Sequence, residues 1–236
     1  MRSVPDDKSV RVSASGRSGT VISSDGPSPS VKAVSDRFEN PFGLNPPCSI
    51  GRPVPGYGDP NADFHLIGDH PGHHGGEGTG VPFTGTKSAA RLQGALAAVG
   101  LLTEPHPTEP LVSNLFMNYL YMCPVADQYE PTQADYDDLE RFFDAELRAV
   151  NAHILMPVGQ RASDHVLRDY STRFHKEPRS MGQRHAREVR GRGFLIIPIA
   201  DPLDWDEGDR DRLVETLERI LASDYRQTKG VATVVG

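Results

Sequence analysis

Short apolar runs alternate with segments of helical periodicity along most of the chain, and this alternation limits the possible fold more than any other feature. Apolar runs predict strands over 63–68, 111–121, 153–158 and 194–199. Helical spacing predicts helices over 87–99, from about 133 behind an N-cap at Thr132, over 160–169 and over 209–222. Short apolar strands separated by helices are typical of a parallel sheet covered on both faces. We therefore expect an α/β fold: a single three-layer domain with a four-stranded, mostly parallel sheet and helices on both faces.

The ends of the chain differ in composition from its middle. Residues 1–38 are rich in Ser, Asp, Gly, Pro and Lys and show no apolar period, which predicts a disordered N-terminal tail. We expect one folded domain over 39–225 and a short C-terminal tail over 226–236. No apolar run approaches the eighteen or so residues that span a bilayer, and no apolar segment marks a secretory signal. These features predict a cytoplasmic protein without a membrane partner.

The formal net charge of −7 argues against binding to nucleic acid by bulk electrostatics alone. A local basic stretch nevertheless runs from Arg161 to Arg192. Its other basic residues are Arg168, Arg173, Lys176, Arg179, Arg184, Arg187 and Arg190. By itself this stretch is either a solvated polar segment or a basic face for phosphate contact.

Cysteine is scarce, with Cys48 and Cys123 the only two in the chain. This number excludes a disulfide framework, and one chain with two thiols cannot build a four-cysteine metal or cluster site. We expect two reduced thiols.

Polar residues cluster where the predicted strands end. Asp69 and His70 follow the first strand, Asn118 lies late in the second, and Asp201 follows the last. Because ligands bind beyond the carboxyl ends of parallel strands, this placement predicts a functional site at that edge of the sheet.

The loop after the first strand reads GDHPGHHGGEGTGVPFTG and is rich in glycine and histidine. Gly68, Pro71 and Gly72 would let a ligand approach the backbone, and Phe83 could stack on a flat base. The loop is not a phosphate-binding P-loop, because the GxxxxGK[ST] pattern is absent. A surface loop without a ligand is the alternative.

The same loop offers a set of metal-binding residue types. They are Asp69, His70, His73, His74 and Glu77. Closely spaced histidines bind zinc in many enzymes, but neither an HExxH pattern nor a second ligand cluster accompanies them. We therefore expect no catalytic metal, and keep a metal enzyme as an alternative.

The segment over 54–85, VPGYGDPNADFHLIGDHPG followed by GVPFTG, resembles the first motif of the uracil-DNA glycosylase superfamily. It is most similar to the iron–sulfur branch of bacteria and archaea, family 4, where the motif reads GEAPG and then PFVG. The segment NYLYMCP at 118–124 resembles the TNVVKCRP segment of that family, with one extra residue between Asn and Cys.

Two further segments keep the order of the family. HILMPVG at 153–159 is similar to its IVALG strand. Arg184-His185 and the run over 194–202 resemble its RGxxH segment and the strand before its HP[SA] motif. The resemblance covers about 46–221.

The resemblance implies hydrolysis of the N-glycosidic bond of uracil, or of a related deaminated base, flipped out of DNA. Asp69 matches the motif glutamate, which orients water or stabilises the sugar cation. Phe83 matches the stacking aromatic residue. Asn118 matches the asparagine that reads the uracil edge, with Asn114 as the alternative if the extra residue shifts the register.

Two departures bear on catalysis. His70 replaces the alanine of GEAPG, where other uracil glycosylases carry a water-activating aspartate; it is either a general base or a side chain that fills the pocket. Asp201-Pro202 stands where the family has His-Pro, and an ionised aspartate would repel the departing base anion. Either burial keeps Asp201 protonated, or the base differs from uracil, or catalysis is weak.

The resemblance also concerns cofactors and partners. Cys48 and Cys123 fall near two of the four cluster ligands, Leu139 stands where a third would be, and no partner precedes Cys48. We therefore predict no iron–sulfur cluster and no other cofactor. We expect a monomer that binds DNA through Arg184, His185 and Arg187.

Two other functions stay open. One is a nucleic-acid or nucleotide-binding protein of the same fold that has lost efficient chemistry, which Asp201 favours. The other is a small-molecule hydrolase or metal enzyme that uses the histidine-rich loop.

Overall fold

The computed structural model describes residues 40–126 and 129–226. The predicted N-terminal tail, 1–38, lies outside these residues, as does the C-terminal tail beyond Arg226. No helix in the described part of the chain is both long and apolar enough to cross a bilayer.

A six-stranded sheet forms the centre of the molecule, and a separate two-stranded ribbon lies beside it. In chain order the strands are β1 Tyr57–Gly58, β2 Phe64–Gly68, β3 Leu102–Glu104, β4 Leu111–Val112, β5 Leu115–Tyr119, β6 Ile154–Pro157, β7 Val189–Arg190 and β8 Leu195–Ile196. The sheet has the order β1-β5-β2-β6-β8-β7, and β3 pairs with β4 in the ribbon. Strands β5, β2, β6 and β8 are parallel neighbours, whereas β1 and β7 pair antiparallel at the two edges.

The α/β prediction is confirmed, but the number of strands was wrong. The four predicted strands correspond to the parallel centre, and the two additional edge strands have only two residues each. A pair of residues is too short to show an apolar period. The predicted strand over 111–121 is also interrupted, because Asn114 adopts a left-handed backbone with a φ of 55° between β4 and β5.

The four predicted helices are present close to their expected bounds. In chain order the helices are α1 Pro71–His74, α2 Lys87–Ala98, α3 Gln133–Val150, α4 Gly159–Tyr170, α5 Met181–Arg184 and α6 Asp209–Leu221, with 3-10 turns at Phe174–Lys176 and Pro202–Asp204. The two single-turn helices, α1 and α5, were not predicted. Thr132 caps α3 as predicted: its hydroxyl accepts from the Asp135 backbone N–H while the Asp135 carboxylate accepts from the Thr132 N–H. This reciprocal pair satisfies two N–H groups that the first turn leaves unpaired.

The two faces of the sheet carry separate cores, which gives the three predicted layers. Leu66 and Met117 face α2 and α6, and Ile67 and Phe116 face α3 and α4. Successive strand residues alternate between the faces, because the side-chain period of a strand is two. This alternation determines which side chains of β5 reach the site.

The expectation of two reduced thiols was wrong. Cys48 and Cys123 form a disulfide, with their Cα atoms 5.4 Å apart. The chain before β1 runs beside the segment that follows β5, where the Val54 N–H donates to the Met122 carbonyl at 2.8 Å. This long-range pairing brings the two cysteines together, and a count of cysteines could not reveal it.

Candidate active site

The ends of the parallel strands converge as the sequence pattern predicted. The Tyr121 N–H donates to the Asp69 carbonyl at 3.0 Å, and the Gly159 N–H donates to the Ile199 carbonyl at 2.8 Å. These bonds extend the strand pairing by one to three residues beyond the strand ends. The loops that carry Asp69 and Asp201 therefore lie along one edge.

A single helical turn, α1, positions the histidines of the glycine-rich loop. His70 is its N-cap, and Pro71 begins it. The turn ends at Gly75, whose φ is 92°; a Cβ there would lie 2.1 Å from the Thr84 carbonyl oxygen. Only glycine fits this conformation, and it ends the helix where His73 and His74 face Asp201.

His73 and Asp201 form a close pair. Nε2 of His73 lies 2.6 Å from Oδ2 of Asp201, and the His73 side chain is about half exposed. The second carboxylate oxygen, Oδ1, accepts from the Leu203 N–H at 2.9 Å and from the Ser88 hydroxyl at 3.3 Å. The hydrogen bond with Asp201 raises the pKa of His73. Burial opposes ionisation of Asp201, but hydrogen bonds from His73 and Leu203 outweigh it and lower the pKa of this carboxyl to about 2.

The sequence left open whether Asp201 is protonated through burial. The lowered pKa favours the ionised form, with an imidazole from another loop beside it. When His73 is protonated, its positive charge offsets locally the Asp201 charge that would repel a departing anion.

His74 lies deeper, with 1% of its surface exposed. Its ring centroid lies 5.5 Å from that of Phe83 and 6.3 Å from that of Tyr119. Neither ring nitrogen meets hydrogen-bond geometry with any group in the described ranges. Burial lowers the pKa of His74 to about 3, so the ring is neutral near pH 7.

His70 is also buried, and its Nδ1 has no hydrogen-bond partner among the described residues. Burial lowers its pKa. Both roles considered for His70 require a neutral ring, so its protonation state does not separate them.

Asp69 is held by two side chains from the helices beyond the sheet. The Tyr136 hydroxyl donates to its Oδ1, and Arg161 Nε lies 3.7 Å from its Oδ2. The Arg161 guanidinium also stacks over the Tyr136 ring at 4.4 Å. Burial and the nearby Asp69 charge raise the pKa of Tyr136, which keeps the hydroxyl a donor. Tyr136 and Arg161 were not singled out as site residues, because no local pattern marks them.

Asp69 and His73 both line an open cavity of about 620 Å³ between α3 and α4. Its walls are acidic, with six carboxylates against two arginines. The carboxylates are Asp69, Glu130, Asp137, Glu140, Asp164 and Asp169, and the arginines are Arg161 and Arg168. Such walls disfavour phosphate, so a nucleic acid would have to keep its backbone outside this cavity.

The structure does not bring Asn118 together with Phe83. Its amide lies on the sheet face covered by α3 and α4, opposite to Phe83 and Tyr119, where Nδ2 donates to Glu146 at 2.8 Å and Oδ1 lies 2.9 Å from His65 Nε2. Asn114, the alternative, lies at the other end of β5, where its Oδ1 accepts from the Asp63 N–H at 2.7 Å.

Tyr119 takes the place that Asn118 was expected to occupy. Its hydroxyl accepts from the Phe83 N–H and donates to the Gly75 carbonyl, both at 2.7 Å. Three residues separate Tyr119 from Cys123, the spacing of the TNVVKC segment, and this spacing could have identified it. Phe83 itself is 2% exposed and covered by Tyr119 and His74, so no ring face is open to a base in this conformation.

The predicted backbone-contact residues Gly68 and Gly72 are needed for packing. A Cβ at Gly68 would lie 2.7 Å from the Tyr119 ring, and one at Gly72 would lie 2.4 Å from Val125 Cγ2. Pro71 is buried at the start of α1. No ligand is required to explain these three residues.

The three predicted DNA contacts separate into two classes. Arg184 is 3% exposed, and its guanidinium binds Asp164 and the Pro178 carbonyl. His185 is 1% exposed and held between the Ala200 N–H and the Asp209 carbonyl. Both are structural in this conformation. Arg187 extends into solvent, 3.8 Å from Glu177, and is available to a phosphate.

A four-cysteine iron–sulfur cluster does not fit these residues. The chain contains two cysteines, and each is the disulfide partner of the other. Leu139, at the third expected ligand position, is a core residue of α3.

A carboxylate and an imidazole–carboxylate pair around a cavity at the carboxyl edge of a parallel sheet define an α/β protein with an enzyme-like site. Comparison with known families is more specific. The model of the uracil DNA glycosylase superfamily matches residues 55–213, and the chain belongs to this superfamily.

Curated relatives carry the name type-5 uracil-DNA glycosylase. The chain is similar to that of Thermus thermophilus, with 31% identity over 131 residues, 54% of this chain and 59% of the relative. It is 27% identical to that of Pyrobaculum aerophilum over 175 residues, 72% of this chain and 74% of the relative. That of Mycobacterium leprae is 30% identical over 134 residues, 55% of this chain and 58% of the relative. The chain thus spans less than two thirds of the Thermus and Mycobacterium relatives. These names support the superfamily, but they do not single out the family 4 branch.

Proposed function

We propose that this chain hydrolyses the N-glycosidic bond of uracil, or of a related deaminated base, in DNA. The observation that carries the proposal is the placement of Asp69 and His73 on one cavity at the carboxyl edge of the sheet, with Asp201 in contact with the His73 ring. Membership of the uracil DNA glycosylase superfamily supports it. The type-5 names of the relatives lead us to place the chain nearer to that group than to family 4.

Hydrolysis of this bond develops positive charge on the sugar and negative charge on the leaving base, and a site accelerates it by stabilising both. Asp69 would serve the sugar side. Tyr136 and Arg161 hold its carboxylate toward the cavity, where it can orient water and stabilise an oxocarbenium-like cation.

His73 would serve the base side. Its ring lines the cavity, and Asp201 holds it from behind. In this arrangement Asp201 does not face the departing base; it orients an imidazole contributed by α1. The histidine that the family pattern places at position 201 is thereby replaced by one from a different loop.

The proposal includes a monomeric protein without an iron–sulfur cluster, whose partner is DNA containing a deaminated base. The disulfide between the two cysteines supports the absence of the cluster. The acidic lining of the cavity supports a DNA backbone that stays outside it. Iron and acid-labile sulfide analysis of purified protein tests the first point, and either in stoichiometric amount would contradict it.

The activity is tested by strand cleavage of labelled single- and double-stranded oligonucleotides that contain one uracil. We expect uracil-dependent abasic sites, and a loss of about 100-fold or more in Asp69→Asn, the range of a positioned acid or base. Asp211→Asn is the control, because Asp211 is an exposed carboxylate paired with Arg210. Unchanged cleavage in Asp69→Asn would contradict the role of Asp69.

A second candidate is a protein that binds damaged DNA without efficient chemistry. The observation that favours it is the burial of Phe83 under Tyr119 and His74, with Asn118 bonded elsewhere. The predicted base-binding pair is therefore closed in this conformation. Retained binding of the uracil oligonucleotide with no cleavage at high protein concentration would support this candidate over the first.

A further inference from the structure

Three side chains at the carboxyl edge form a set of metal-binding atoms drawn from two distant segments. His73 and His74 come from α1, and Asp201 follows β8. One ring nitrogen of each histidine and one carboxylate oxygen of Asp201 all lie within 4.8 Å of one another.

The second observation is the state of His74. It is 1% exposed, and neither of its ring nitrogens meets full hydrogen-bond geometry in the described part of the chain, although the Val158 backbone lies close enough to act on its pKa as a hydrogen-bond partner. Buried polar atoms in native proteins are almost always satisfied, because an unpaired one costs roughly 1–3 kcal/mol. The Val158 backbone can satisfy at most one of these nitrogens, and one ring nitrogen lies within 4.8 Å of the ligand atoms of His73 and Asp201, which indicates a missing ligand at that point.

We propose that His73, His74 and Asp201 bind one divalent transition-metal ion of the zinc class. Two imidazoles and one carboxylate are a donor set typical of catalytic zinc sites, which keep a fourth position for water. His73 lines the open cavity, so solvent and substrate can reach that position.

The geometry requires only small movements. Ligand atoms around tetrahedral zinc lie about 3.3 Å apart, given metal–ligand distances of about 2.0–2.1 Å. The His73–Asp201 contact of 2.6 Å would open slightly as the ion replaces the hydrogen bond between them. His74, within 4.8 Å, would close toward the ion.

The carboxylate is already oriented for this role by a second layer of contacts. The Leu203 N–H and the Ser88 hydroxyl both bind Oδ1 of Asp201, which leaves Oδ2 directed at His73. Outer contacts of this kind orient metal ligands, and their loss typically weakens binding about 10–100-fold.

A rival set in the same cavity provides an internal control. Glu140, His165 and Asp169 also lie within 4.8 Å of one another, but all three are exposed or half-exposed on α3 and α4. His165 Nε2 also has no hydrogen-bond partner among the described residues. Both carboxylates of this set are exposed, however, and exposed acidic groups are common without a metal, so we assign the ion to the first set, in which His74 and Asp201 are buried.

The inference concerns metal binding and holds whether or not the chain cleaves DNA. If the proposed hydrolysis is correct, an ion at this place would lie on the cavity that Asp69 lines. It would then supply positive charge on the base side or hold a water molecule.

The test is carried out without DNA. Protein treated with a chelator and dialysed is titrated with ZnCl₂ by calorimetry, and metal retained after dialysis is counted by mass spectrometry. We expect one zinc per chain. His73→Ala should weaken binding by more than about 100-fold, and Ser88→Ala by about 10-fold. His165→Ala should bind as the parent does.

His73→Ala is the decisive variant, because a half-exposed side chain can be removed with little effect on the fold. Circular dichroism verifies that each variant is folded. Absence of zinc binding by the parent, or binding that is lost in His165→Ala and kept in His73→Ala, would overturn the inference. Cleavage assays on the same preparations are scored separately, so failure of the metal site and failure of the glycosylase proposal are distinguishable.

Discussion

Nε2 of His73 lies 2.6 Å from Oδ2 of Asp201, which joins the loop after the second strand to the loop after the last. Asp201, which by the resemblance stands where the family has a histidine, is thus the partner of a histidine contributed by α1. These two residues, 128 positions apart by their numbering, form one local unit. The proposed mechanism depends on this contact between His73 and Asp201.

Removing His73 should impair base excision, and moving the histidine to position 201 should restore part of it. We expect His73→Ala to slow single-turnover excision by about 10–100-fold, since one stabilising group near the leaving base is lost. The double variant with His73→Ala and Asp201→His should recover activity, because it recreates the family arrangement. Excision by His73→Ala at the parent rate would remove His73 from the mechanism.

Glu146 should make the protein less stable as pH rises. It is fully buried, accepting from the Gly56 N–H at 2.9 Å and from Asn118, and burial raises its pKa from 4.5 to about 7. As pH rises, the Glu146 carboxyl therefore loses its proton at a lower pH in the unfolded chain than in the folded protein. Its contribution to stability is fully present below pH 4.5 and is lost as pH rises to about 7.

As pH rises from 4.5 to 7, the unfolding free energy of Glu146→Gln should increase relative to that of the parent by roughly 3 kcal/mol in total. This is the free energy that corresponds to the raised pKa of Glu146. Other titrating groups, including His65, whose pKa burial lowers to about 4, cancel in the difference. Urea unfolding of both proteins across this range measures it. Glu140→Gln, exposed on the same helix, is the control, and a flat difference would refute the assignment.

The disulfide should stabilise the fold substantially. Cys48 and Cys123 close a loop with a separation of 75 residues, which corresponds to about 4 kcal/mol in the chain-entropy account. We expect Cys48→Ser to unfold at a clearly lower urea concentration than the oxidised parent, and to match the parent treated with reductant. Equal midpoints with and without reductant would show that the bond adds nothing.

Alanine substitution of Arg184 should lower stability, whereas alanine substitution of Arg187 should weaken DNA binding. Arg184→Ala removes a buried guanidinium from its pair with half-buried Asp164 and should cost roughly 1–3 kcal/mol of unfolding free energy. Arg187→Ala should leave stability unchanged, weaken DNA binding at low salt and reduce the salt slope by about one. Fluorescence anisotropy at several salt concentrations tests this, and an unchanged slope would exclude a phosphate contact.

The apolar pattern determined the parallel centre of the sheet and its main helices, because burial on both faces requires runs such as 63–68 and 153–158. The pattern also predicted that the strands before Asp69 and Asp201 end at one edge of the sheet, and they do. It missed β1 and β7, which are too short to show any period.

The residues at the site were decided by tertiary structure. Because strand side chains alternate between the two faces of the sheet, Asn118 contacts Glu146 and Tyr119 contacts Phe83. A shift of one residue would exchange the faces of the two side chains. Tyr136 and Arg161 reach Asp69 from helices remote in sequence. The Cys48–Cys123 bond and the His73–Asp201 pair likewise depend on which segments become neighbours. The amino-acid sequence by itself determined the sheet and the edge where chemistry can occur, because periodicity is a local property; long-range packing decided which side chains meet there.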